Sequence, residues 1–259
     1  MSDHILNFPL FVFLITLAIM WFSGWRGSSR RWRPVSENER QDWDIVAAAS
    51  LTLLGLIIGF SFSMAVSRYD LRKSYEAEEA NTISTEYDRA GLLPADDAVK
   101  VRELLRSYLD QRILAYEIRI LPFDRGRVRL LAAIDRETAQ LQNEMWSVVQ
   151  ASASAKPTPP VALVLSGMNE VLDSQGYMQA AWLNRLPVTA WVLMVVMAAF
   201  CNWLVGFGSR QPRNILLLIL PLVLAIAFLL IADIDSPRAG MIRPSAEDLT
   251  ALAQSLRPH

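Results

Sequence analysis

Histidine is nearly missing from this chain. The only two, His4 and His259, stand at its ends. That excludes His-based triads, His-ligated zinc and imidazole proton relays inside a fold. Cysteine occurs once, as Cys201 in an apolar run, so an intrachain disulfide is impossible and the residue reads as a small hydrophobe. A basic excess is missing too: 25 Lys and Arg face 26 Asp and Glu, and nothing points to nucleic acid. No stretch alternates like a strand, and no acid–base constellation suggests an enzyme.

Charge is missing altogether from four long stretches, Ile5–Trp25, Ile45–Ser67, Leu186–Ser209 and Asn214–Ala232. A bilayer core takes roughly 20 apolar residues of helix. Backbone in lipid must satisfy its own hydrogen bonds, so each stretch reads as a transmembrane helix. The first lacks the basic start and cleavage site of a signal peptide, and Trp21 and Trp25 close it as interface anchors.

The expected fold is all-α, an integral membrane protein with four transmembrane helices and a helical extramembrane bundle inserted between helices two and three. Residues 1–67 hold the first two helices and an arginine-rich loop, 68–186 the extramembrane domain, 187–233 a hairpin of helices three and four, and 234–259 a C-terminal tail. In the insert, 71–92 continues the second span. Val101, Leu104, Leu105, Tyr108, Leu109, Ile113 and Tyr116 then recur at helical spacing until Pro122. Val128, Leu131, Ile134, Leu141, Met145 and Val148 repeat the pattern, and Lys156–Pro160 reads as a linker. A short turn at Pro212 joins the last two spans.

The second span holds the most specific pattern. Gly55, Gly59, Ser63 and Ser67 recur every fourth residue as a ridge of small side chains. Beside it runs a stripe of Thr52, Leu56, Phe60 and Met64. Two readings stand together: a helix packed closely between neighbours, or one lining a narrow pore that gates by dewetting. On the packing reading a leucine at Gly59 disrupts assembly more than one at Ser61, which lies on a different face; Met20 in the first span is expected to face lipid. Past the span come Glu76, Glu78, Glu79 and Glu86. A ring of such carboxylates favours cations, while the plainer reading is solvated side chains pairing with Arg72, Lys73 or Arg89. Asn81, between Ala80 and Thr82, is expected to hydrogen-bond between helices.

Gly59-Phe60 followed by Arg68-Tyr69 resembles the Gly-Phe…Arg-Trp signature that ends the second transmembrane helix of bestrophins. The stretch GFSFSMAVSRYDLRKSYEAEEANTISTEYDRAGLLP and the tail DIDSPRAGMIRPS are similar to the prokaryotic bestrophin-like domain family. The resemblance covers most of the chain. It implies a homopentameric anion channel in a bacterial inner membrane, with lipid and inorganic ions as partners. It implies Thr52, Leu56 and Phe60 as the pore neck, although Thr52 departs from the family's bulky apolar type. Arg68, Tyr69, Glu79 and Asn81 stand at family-motif positions, and Asp233 and Asp235 stand where bestrophins carry an acidic calcium clasp. Calcium takes about six to eight oxygens, so the plain reading of these two is solvated interface charge, and no other cofactor is implied. Beside the channel stands a second function, a non-conducting membrane protein whose helical domain binds a partner or stabilises the envelope, because no charged residue inside a span marks an ion path.

Overall fold

The computed structural model describes residues 9–29, 37–119, 125–209, 216–236, 241–242 and 245–257. Among the described residues there is no strand. The α-helices are α1 (Pro9–Ser29), α2 (Glu37–Arg89), α3 (Ala95–Arg119), α4 (Arg125–Ala155), α5 (Pro159–Leu183), α6 (Val188–Gly208), α7 (Leu216–Asp235) and α8 (Glu247–Ser255). Four helical stretches among them are long and apolar enough to cross a membrane. The helix stop at Pro122 and the turn at Pro212 lie outside the described residues. The chain divides into two compact units, Met1–Arg68 with Arg185–Ile242, and Tyr69–Asn184 with Arg243–His259. The first three spans expected from the absence of charge fall within α1, α2 and α6, apart from end residues; α7 runs on past Ala232 through Asp233 to Asp235.

In the first unit α1 packs along α6 and α7. Helices α1 and α6 run in the same direction. Val12 and Thr16 face Trp191 and Val195 across one cleft, and the Ser23 hydroxyl donates to the Ala199 carbonyl at 2.6 Å. Farther along, the two backbones meet through glycine. A Cβ on Gly27 would run into the Trp203 carbonyl, and one on Gly206 into the backbone of Gly24. This is the close approach that small residues permit in membranes, where helices associate by packing rather than by the hydrophobic effect. Met20 lies inside this contact at 0% exposure, so it does not face lipid as the sequence suggested. Its place one turn before Gly24 turns it toward α6 and α7 instead.

The second unit is a helical bundle; besides a small cluster of Ala115, Ile118 and Ile134, it has one main core. Ile83 of α2, Val101, Leu105, Tyr108 and Leu109 of α3, Met145 and Val149 of α4, and Val164, Met168 and Val171 of α5 fill it. Local signals fix the helix ends. Asp96 and Asp97 in the first turn of α3 and Arg119 in its last complement the helix dipole. Thr158 is extended, and Pro159 opens α5 where a missing N–H costs nothing. The α4 pattern holds at Ile134, Met145 and Val148, which are buried, but Val128 is exposed. The segment expected to be a plain tail contains α8, whose Leu249 is fully buried in the core.

Candidate functional site

Helix α2 has two faces of opposite character. In the membrane part, Leu54, Ser61 and Ala65 are buried within the protomer. They are separated by seven and four residues, which keeps them on one side of a helix. The other side carries the small ridge and the neighbouring stripe read from the sequence. Thr52, Gly55, Gly59, Ser63 and Ser67 are exposed, and Leu56 and Phe60 are 53% and 63% exposed. A Cβ added to Gly55 or Gly59 would meet nothing within 4 Å. The small ridge therefore packs against nothing in the protomer, and the glycines that bring its own helices together are Gly24, Gly27 and Gly206. Ser61 lies on a different face from Gly59, as expected, and at 4% exposure it is packed within the protomer, so a large side chain there disturbs the protomer itself. The Thr52 hydroxyl donates to the Ala48 carbonyl at 2.9 Å, so this polar residue satisfies its donor within its own helix.

At the end of that stretch Arg68 is 3.9 Å from Asp235. Asp235 also accepts the Leu186 N–H at 3.0 Å, while Asp233 accepts the N–H groups of Met241 at 2.7 Å and Ile242 at 3.0 Å. Both carboxylates are buried, which corrects their reading as solvated charge. Carboxylates at a helix C-terminus oppose the helix dipole, and these backbone donors and the arginine offset that cost. The arrangement does not fit a calcium site. Calcium wants about six to eight oxygens with free lone pairs, whereas three backbone amides and a guanidinium already face these. Among the described residues no group of three or more His, Cys, Asp or Glu side chains is placed to hold a metal.

In the second unit Tyr69 is half-buried and Asn81 is exposed, so Asn81 does not lie between helices of the protomer. Glu76, Glu79 and Glu86 are buried and do not form a solvated row. Glu79 takes two hydrogen bonds from Arg112 of α3, one from Nε to Oε1 and one from Nη2 to Oε2. Burial alone would lower the basicity of Arg112, but the Glu79 charge outweighs it and holds the guanidinium firmly protonated. Tyr108 and Tyr116 pack around the pair, and burial followed by the Glu79 charge pushes both phenols up. Glu76 accepts the Leu249 N–H of α8 at 2.9 Å. Burial pushes its carboxyl up to about 7; the Leu249 N–H opposes this and the Asp248 carboxyl adds to it. The exposed side of α2 here presents Asp70, Ser74, Glu78, Asn81, Thr85 and Asp88. Sequence reasoning missed the Glu79–Arg112 pair and the buried role of Glu76. Their signal was a three-four spacing of Arg72, Glu76, Glu79, Ile83 and Glu86, which is the buried face of α2.

No curated protein matches the chain. Solved structures do. One is a point variant of a bacterial bestrophin homologue from Klebsiella pneumoniae, 13% identical, with a TM-score of 0.60 over 96% of each chain. A second variant of that homologue is 11% identical, with a TM-score of 0.57 over 95% of each chain. A third structure, described as a membrane protein variant, is 13% identical, with a TM-score of 0.61 over 96% of this chain and 95% of its own. These likenesses establish the four-span fold with its helical insert. The bestrophin-like domain profile matches residues 10–248. The chain belongs to the bestrophin-like domain family.

Proposed function

We propose that this protein is the subunit of an oligomeric ion channel, with a pentamer as its assembly and α2 innermost. The observation that carries this reading is the bare face of α2. A membrane helix that exposes Gly55, Gly59, Ser63 and Ser67 gives lipid little to pack against and gives a neighbouring helix room for close approach. Head-to-tail contacts of this kind close into rings. On the ring's inner side Leu56 and Phe60, one turn apart, form an apolar neck from which water is easily expelled. The reading needs no bound calcium and no charge inside a span.

Family likeness implies anions as the conducted species. The charge on the exposed extramembrane part of α2 favours cations instead: Asp70, Glu78 and Asp88 outnumber Lys73 there, and Arg89 is paired with Glu170. The test is the reversal potential of the purified protein in a planar bilayer under a potassium chloride gradient, beside its mass in detergent. A ring-sized mass with a potential toward the chloride equilibrium value supports the anion reading. A potential toward the potassium value, moved back by Glu78→Gln, supports the cation reading. A monomer without current refutes both.

A further inference from the structure

Glu86 of α2 is buried, and among the described residues neither of its carboxyl oxygens finds a hydrogen-bond donor. It lies against bare backbone: a Cβ on Gly167 of α5 would collide with both the Glu86 carboxyl and the Arg89 guanidinium. Arg89 in turn is 3.7 Å from the Glu170 carboxylate of α5. Two acids therefore compete for one guanidinium where a glycine leaves space for it. Arg89 and Glu170 also line an open cleft together with Ser74, Glu78, Asn81 and Thr85. From α3, the nearby Arg102 and Arg106 are turned onto the Tyr87 ring, each 5.2 Å from its centre. The charged groups that face Glu86 are thus Arg89 on its own helix and Glu170 on α5.

We propose that Glu86 is a proton-operated switch for the charge of this cleft. Protonated, it rests under Arg89, which pairs with Glu170 and leaves that edge of the cleft balanced. When the proton passes to water, the buried carboxylate draws Arg89 inward. Glu170 then stands unpaired beside Glu78, and the cleft gains negative charge. Burial sets the working range: it pushes Glu86 up to about 8, against the attraction of Arg89 and with the repulsion of Glu170.

The consequence for stability has a definite sign. The folded value lies above the ordinary value of 4.5, so the folded state holds the proton more tightly. Stability is complete below the ordinary value and is lost as pH rises through the folded one. The experiment is thermal unfolding of the full chain in detergent between about pH 5 and pH 9, for wild type, Glu86→Gln and Gly167→Ala. Wild type should lose several degrees between about pH 5 and pH 8, with little further loss above that. Glu86→Gln, which keeps the shape and cannot ionise, should lose distinctly less, with Glu76 supplying what slope remains. Gly167→Ala, where it folds, should push the carboxyl toward water and flatten the profile as well. An unchanged pH slope in Glu86→Gln overturns the proposal. A second readout rests on the channel reading: cation preference should rise severalfold from acid to alkaline pH in wild type and not in Glu86→Gln. A protein that melts as described but carries no current refutes the channel reading and leaves the switch standing.

Discussion

Replacing Glu79 by Gln keeps the size of the side chain and removes one charge. What remains is the Arg112 guanidinium at 1% exposure, shut off from bulk solvent and with its counter-charge gone. Among the described residues its Nη1 has no partner, and its Nε and Nη2 donate to Glu79. Breaking a buried pair by removing one partner costs about 3–5 kcal/mol. For a chain of this size each kcal/mol moves the unfolding temperature by roughly 2–4 °C, so Glu79→Gln should melt on the order of 10 °C below wild type. Glu79→Leu/Arg112→Met removes both charges and fills the space with apolar atoms. It should recover most of that loss, because the pair's own desolvation cost disappears with it. The assay is intrinsic-fluorescence melting in detergent at neutral pH. A Glu79→Gln variant within about 2 °C of wild type would refute the claim that the pair is a buried unit, and so would a double variant as unstable as the summed single ones.

Gly206→Leu places a side chain in the backbone of Gly24 and should abolish the folded protomer, while Gly59→Leu, with open space beside it, should leave the protomer folded and lower the oligomer yield; size-exclusion profiles with melting curves distinguish the two. Asp235→Asn weakens the acceptor of the Leu186 N–H and removes the charge facing Arg68, at about 1–3 kcal/mol, read as a lower melting temperature. Added calcium should leave the wild-type melting curve where it is, and a rise of several degrees with calcium would contradict the account of Asp233 and Asp235.

The membrane plan was legible because lipid imposes one rule on every span, and four uncharged runs announce it. The α3 core was legible for a similar reason: Val101, Leu105, Tyr108 and Leu109 repeat at the spacing of one helix face, and all are buried. Less of the candidate site was legible. Small-residue spacing marked Gly55 and Gly59, but spacing does not say whether a ridge meets its own chain or another, and the glycines that close the protomer are Gly24, Gly27 and Gly206. Charge misled at Glu76, Glu79 and Glu86, which share the buried face with Ile83. Their partners, Leu249, Arg112 and Gly167, come from α8, α3 and α5, and no local pattern reaches that far. Asp233 and Asp235 are bound by amides of residues that become neighbours only when the chain folds.

The most direct test of the channel reading is ion flux through the purified protein in liposomes, comparing wild type with Leu56→Ala/Phe60→Ala. Val192→Ala, on an exposed part of α6, serves as the control. Truncating the two neck side chains widens the constriction and lowers the dewetting barrier, so flux should rise. Both side chains are more than half exposed in the protomer, so its melting temperature should move little. Higher flux from the double variant, with the control unchanged, is the result this account predicts. Flux that is unchanged or lower in a well-folded double variant would contradict it.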